Sequence, residues 1–187
     1  MQPHSALVLI ADGSEEMEAV ISIDVLRRAG LAVTVASVKG KQVTCSRQVQ
    51  IVSDTELDSL GEAAKGFDVL VLPGGLGGAK TFKESHSIHS LMAAYLQDST
   101  KHLAIICASP IALAAANLGH GRRITSHPSV KAELDRDYVY LEERVVVDGN
   151  LITSRGPGTS FEFALTIVEQ LLGAAKRNEV AAPMILP

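Results

Sequence analysis

Cysteine is nearly absent from this chain: its 187 residues include two, Cys45 and Cys107. Two thiols cannot build a disulfide framework, and with no C-x-x-C spacing they point to a reducing compartment, the cytoplasm, or the nucleus or mitochondrion in a eukaryote. Excess positive charge is also lacking, since 17 lysines and arginines face 21 acidic residues for a net charge of −4. That balance gives no general attraction to nucleic acid or to an acidic membrane surface, so the expected partner is small or proteinaceous. Long apolar runs are missing too. The longest uncharged stretch, Leu103 to Gly119, contains Ser109, Pro110 and Asn117 and is short for a membrane span. Met1 to Gly13 has no basic region before its short apolar run, so no secretory signal is expected. Repeats, low-complexity segments and interdomain linkers are absent, and 47% hydrophobic against 20% charged residues fits one domain over residues 1–187.

What is present is an alternation of apolar strand-like runs with helical patterns. Ala6 to Ala11, Ala32 to Ser37, Phe67 to Leu72 and Leu103 to Cys107 read as buried strands, while Glu15 to Ala29 and Ser85 to Gln97 have helical spacing. This order predicts an α/β fold, a doubly wound and mostly parallel sheet with helices on both faces. Val43 to Cys45 and Val49 to Val52 read as a small hairpin around Ser46, Arg47 and Gln48. A second short-strand region is expected at Tyr138 to Leu141, Arg144 to Val147 and Leu151 to Ser154, with Asp148, Gly149 and Asn150 as a turn. A helix over Ser160 to Leu172 would present Phe161, Ala164, Leu165, Val168 and Leu171 on one face. The tail from Ala174 is apolar enough to pack back onto a surface or a partner subunit. Doubly wound sheets bind ligands beyond the carboxyl ends of their strands, where Asp12 to Glu18, Pro73 to Gly78 and Cys107 should converge.

Cys107 closes its apolar run and is followed by Ala108, Ser109, Pro110 and helix formers, a strand turning sharply into a helix. There the first helical N–H groups and the positive end of the macrodipole would stabilise a thiolate. A free cysteine in such a run is equally read as a small apolar core residue. Gly74 to Thr81 misses the phosphate-binding G-x-x-x-x-G-K-[ST] loop because Ala79 stands where that loop needs glycine. The Gly74 and Gly75 amides could instead form an oxyanion hole facing Cys107, or the segment could be a plain glycine-rich turn. Glu15, Glu16 and Glu18 open a helix, where acids are favoured as solvated charges. Glu18, however, falls on the Ile21 and Val25 side, where burial would raise its pKa and make it a proton donor toward sulfur or a substrate oxygen. Of six histidines, His4, His86, His89, His102 and His120 read as structural or exposed, and the His86/His89 pair does not support a metal site. His127, after the short strand Arg123 to Thr125, is placed to meet Cys107 as a general base or acid, or to serve as a hydrogen-bonded loop residue. The G-x-S-x-G elbow of serine hydrolases is absent around Ser109.

Taken together, Gly13-Ser14-Glu15-Glu16-Met17-Glu18, Cys45-Ser46-Arg47, Leu72-Pro73-Gly74-Gly75, Ile106-Cys107-Ala108-Ser109-Pro110, Ser126-His127-Pro128 and Ser154-Arg155-Gly156-Pro157-Gly158-Thr159 resemble the ThiJ/PfpI superfamily and, within it, the DJ-one deglycase branch. The resemblance runs over nearly the whole chain. It implies a flavodoxin-like sandwich, a homodimer, and a strained elbow whose cysteine oxidises readily to sulfinate. By position it makes Cys107 the nucleophile, Glu18 a protonated carboxyl hydrogen-bonded to it, His127 the nearby histidine, and Gly75 and Ala108 the oxyanion amides. Gly74, Arg47, Arg28, Arg155 and Pro157 are the implied substrate-binding positions, with Arg28 and Arg47 near the dimer interface and the pocket. The implied activity is conversion of methylglyoxal or glyoxal to lactate or glycolate without glutathione, and repair of early glycation adducts on proteins and nucleotides. No metal and no organic cofactor is implied. An alternative carried by the same resemblance is a redox-sensing protective protein or chaperone in which Cys107 is oxidised without turnover. The chain departs from many relatives at Ile51-Val52-Ser53, where they carry a further cysteine, and it shows no acid beside His127 to complete a peptidase triad.

Overall fold

The strands of the computed structural model, which describes residues 3–186, form where fully apolar runs can be buried on both faces. Ala6 to Ile10 have no solvent exposure, and the same holds for Val69 to Leu72 and Leu103 to Ile106. Such runs suit parallel strands covered by helices on each side. In chain order the elements are β1 (Ser5–Ile10), α1 (Glu16–Arg28), β2 (Ala32–Ser37), β3 (Gln42–Thr44), β4 (Gln50–Val52), β5 (Thr55–Glu56), α2 (Leu57–Leu60) and β6 (Val69–Leu72). Then follow α3 (Leu76–Glu84), α4 (His86–Gln97), β7 (His102–Ile106), α5 (Ile111–Ala115), β8 (Arg123–Ile124) and β9 (Val139–Tyr140). The chain closes with β10 (Val145–Asp148), β11 (Leu151–Ser154), α6 (Ser160–Leu172) and α7 (Ala174–Ala181).

The main sheet has seven strands in the order β10-β11-β7-β6-β1-β2-β5. All neighbours run parallel except β10, which pairs antiparallel with β11 at one edge. From β1 the chain first steps outward to β2, and later from β6 to β7 it steps the opposite way. Right-handed crossovers in opposite directions place their helices on opposite faces. Accordingly α6 packs on both α1 and α7, and α3, α4 and α5 form a second group. This is the flavodoxin-like doubly wound arrangement, with its switch point at the carboxyl ends of β1 and β6. Among the described residues no helix is long and apolar enough to cross a membrane.

Several expectations shift. The glycine-rich segment is not merely a turn: Gly75 is the N-cap of α3, and Gly77 and Gly78 lie inside the helix. A Cβ at Gly77 would stand 2.9 Å from Gly13 Cα and one at Gly78 2.6 Å from Ser14 Oγ, so close packing rather than helix propensity put glycine there. The late short strands do not form a region of their own. β10 and β11 extend the main sheet, and only β9 pairs elsewhere, with β8. On α6 the buried face is Phe163, Ala164, Leu165, Ile167 and Val168, whereas Phe161 is exposed, because the helix turns its 163/167 side to the sheet. The expected hairpin is present as β3 and β4, and the tail packs back through α7 onto α6.

Candidate active site

Cys107 stands just beyond β7, with a left-handed φ of 68°. A non-glycine residue in that region stores strain of about 1–3 kcal/mol and persists only when its surroundings hold it. Here both flanking peptides are tied down. The Cys107 N–H donates to the Ser154 carbonyl at 3.0 Å, and the Cys107 carbonyl accepts from the His127 N–H at 2.7 Å. The turn continues through Ala108 to Pro110, and α5 begins only at Ile111.

Beneath the sulfur lies Glu18, fully buried on the first turns of α1. Glu15 caps that helix by accepting the Glu18 N–H at 2.9 Å, which fixes where the Glu18 side chain starts. One carboxyl oxygen of Glu18 accepts the Gly74 N–H at 2.6 Å, and the other is buried without a nitrogen or oxygen partner. A Cβ placed on Gly74 would fall 2.3 Å from Cys107 Cβ, 2.7 Å from Glu18 Oε2 and 2.9 Å from Cys107 Sγ. Three distant segments therefore meet within contact distance, and only glycine fits between them. Gly74→Ala is expected to cost about 1–3 kcal/mol or more by overpacking. A lower urea midpoint would register it, together with slower alkylation of Cys107.

Burial pushes the Glu18 carboxyl up to about 7, against the pull of the Gly74 N–H and its contact with Cys107, with the charge of Glu15 adding to the rise. Burial likewise pushes the Cys107 thiol up to about 12, and negative charge on Glu18 adds to the rise. The N–H groups of Gly75 and Ala108 are directed at the thiol and oppose it. The stabilisation of a thiolate expected at this turn comes from those two amides, while enclosure and the neighbouring acid oppose it. α5 spans five residues and starts beyond the elbow, too short and too far for its dipole to outweigh enclosure and a neighbouring acid. Enclosure thus pushes both members of the pair, Cys107 and Glu18, toward their protonated forms.

The DJ-1/PfpI family model matches residues 4–170. The chain belongs to the DJ-1/PfpI family. It is 50% identical over 185 residues to "Parkinson disease protein 7 homolog" of Danio rerio, covering 97% of this chain and 96% of that protein. Over 187 residues it is 38% identical to "Glutathione-independent glyoxalase DJR-1.2" of Caenorhabditis elegans, covering 97% of this chain and 96% of the relative. Among solved structures it resembles the crystal structure of Drosophila melanogaster DJ-1beta, with a TM-score of 0.94, 48% identity and 100% of both chains covered.

Within this DJ-1/PfpI fold a cavity of about 450 Å³ opens over Cys107, and Gly75, Ala108, Arg47, His127 and Pro157 line it. Gly74 does not line it: its amide is committed to Glu18 rather than to a ligand, which corrects its expected substrate-binding place. The His127 ring is exposed, and its Nδ1 lies 2.7 Å from the Ser129 hydroxyl, with no carboxylate among these partners. Arg28 lies elsewhere, paired with Asp24 on an exposed groove of α1, so its expected place at the pocket is not met within one chain. Arg155 lies outside the cavity lining and donates to the Ser126 and Glu142 carbonyls, bracing the loop behind His127.

At a helix start Glu15 and Glu16 are expected to be solvated charges, yet both are buried. Burial works to raise the Glu16 carboxyl, but hydrogen bonds from its own N–H, the Ser46 hydroxyl and the Arg47 N–H outweigh it and hold it below the usual range. Glu16 thereby clamps the β3–β4 loop and positions Arg47 at the cavity rim. Nothing in the local sequence marks this, because the partner loop lies some thirty residues away. Among the described residues no group of three His, Cys, Asp or Glu side chains could hold a metal ion.

Proposed function

We propose that this protein is a cysteine-dependent glyoxalase that works without glutathione or cofactor, converting methylglyoxal to lactate and glyoxal to glycolate, with early glycation adducts as further substrates. The observation that carries the reading is that the Cys107 thiol faces one small cavity together with the Gly75 and Ala108 residues whose amides are directed at it, while the Glu18 carboxyl, raised to about 7, contacts the sulfur from the buried side. The name of the nematode relative supports the same chemistry.

The Cys107 sulfur adds to the aldehyde carbon as its proton passes to the Glu18 carboxylate. The carbonyl π-bond breaks, and the developing oxyanion is held by the two amides before protonation gives a hemithioacetal. A base in the site, Glu18 or His127, takes the former aldehyde hydrogen as a proton and an enediol forms. Return of a proton to the neighbouring carbon gives a 2-hydroxyacyl thioester. One carbon is oxidised while its neighbour is reduced, so electrons balance within the substrate. Water then cleaves the thioester, releasing the hydroxy acid and restoring the thiol. Reduced protein is expected to form lactate from methylglyoxal in the absence of glutathione. Failure of fully reduced protein to do so overturns the reading.

We also propose that the protein acts as a homodimer. Met17, Val20 and Phe161 are apolar yet 53%, 49% and 41% exposed, and Val20, Phe161, Pro183 and Met184 share one groove with Arg28. A second copy covering this face would remove that patch from water. Light scattering should then read twice the chain mass of 19.8 kDa, and a monomer mass at micromolar concentration would refute it.

A further inference from the structure

Two consecutive peptide units cross beneath the reactive pair, each gripped from behind. The Pro73 carbonyl accepts the Ser109 hydroxyl at 2.6 Å, and the N–H of that same peptide, on Gly74, donates to Glu18 at 2.6 Å. The Gly74 carbonyl accepts the Glu15 N–H at 2.9 Å, and the N–H of that second peptide, on Gly75, is directed at the Cys107 thiol. Each unit thus passes a hydrogen bond through the amide to one member of the pair. Ser109 is fully buried, and its hydroxyl ties the Cys107 turn to the β6–α3 turn.

We propose that Ser109 is a positioning residue for the reactive pair: its hydroxyl orients and polarises the Pro73–Gly74 peptide whose N–H holds Glu18. A hydrogen bond accepted at a peptide oxygen strengthens donation from the same peptide's N–H, and the effect is larger in a dry interior. Ser109 reaches neither the sulfur nor a substrate and acts through Gly74. Without its hydroxyl, the Pro73 oxygen is left buried and unpaired, the peptide is free to rock, and the Gly74 N–H becomes a weaker donor. A weaker donor stabilises the carboxylate less, so the proton stays on Glu18 to higher pH.

This rests on Glu18 and Cys107 working as the pair proposed above, but its readout needs no turnover. Carbon-13 NMR of glutamate-labelled, reduced protein follows the Glu18 carboxyl through a pH titration, the signal being assigned by its loss in Glu18→Gln. In Ser109→Ala the midpoint is expected to rise by about half to one pH unit, with the alkaline limb of iodoacetamide alkylation at Cys107 rising in step. A role in packing alone would lower the melting temperature and leave the midpoint in place, and that result in a folded variant overturns the proposal. Ser109→Cys, nearly the same size but a weaker donor, gives a smaller upward shift in the same NMR titration. Should Ser109→Ala fail to fold, a wild-type midpoint in Ser109→Cys overturns the proposal equally.

Discussion

Cys107→Ser is expected to lower lactate formation from methylglyoxal on the order of 10³-fold or more, to the protein-free background. The substitution is almost isosteric, and the elbow that holds Cys107 is fixed through main-chain bonds to Ser154 and His127 that serine keeps. The loss is therefore chemical rather than structural. A hydroxyl is a far poorer nucleophile than a thiol, and Glu18 near pH 7 is too weak a base to ionise it. Intact mass after exposure to substrate should show a covalent adduct on wild type alone. A variant retaining most of the rate would assign the chemistry to simple enolisation by Glu18 or His127, without a covalent intermediate.

Glu18→Gln is expected to reduce turnover by about 10²–10⁴-fold, the usual contribution of a positioned acid or base. Glutamine still accepts the Gly74 N–H and still offers a donor toward sulfur, but it cannot take a proton. In wild type, kcat/KM should rise as pH passes about 7, where Glu18 becomes the carboxylate that accepts the thiol proton. The variant should lack that limb. Oxidation of Cys107 by two equivalents of peroxide to the sulfinate, with release of two waters, needs only donors around the new oxygens. It should survive the substitution. Loss of oxidation and turnover together would erase the distinction between the glyoxalase and a redox-sensing protective role.

The same variant should change stability with a definite sign. A carboxyl whose folded value is about 7 rather than 4.5 binds its proton more tightly when folded. Its contribution to stability is full below pH 4.5 and is lost as pH rises through 7, about 3 kcal/mol in all. Glu18→Gln escapes that loss and should therefore unfold at higher denaturant than wild type at pH 8, while the two converge toward pH 4.5.

Local pattern carried much of the fold. The apolar runs at Ala6, Ala32 and Leu103 became β1, β2 and β7 within a residue of their expected limits, and Ser160 to Leu172 became α6 with the expected bounds. Runs that are apolar throughout leave no choice of face, so period and length decide them. α3 escaped notice because Gly77 and Gly78 were selected by the backbone of Gly13 and Ser14, contacts with no trace in local propensity. Within the site, the placement of Cys107 and Glu18 was legible from strand ends and helix phase. The raised pKa of Glu18 was legible from the same helix phase, whereas the burial that pushes the Cys107 thiol up was not, since it depends on enclosure supplied by segments remote in sequence. The same holds for Glu16, whose burial is set by Ser46 and Arg47, and for the Gly74 amide, which turns toward Glu18 rather than toward the cavity.

The main-chain bonds of Cys107 bear on how the protein is made. Its N–H waits for the carbonyl of Ser154 in β11, and its carbonyl for the N–H of His127, both later in the chain. While synthesis is short of residue 127 neither bond can form, and short of residue 154 only one can, so the strain favours relaxation toward an ordinary extended backbone. The nascent chain is thus expected to carry a plain cysteine. Both ties on the turn are in place only when β11, the last strand in chain order, docks, so the chemical vulnerability of Cys107 is expected to begin together with the finished fold and not before.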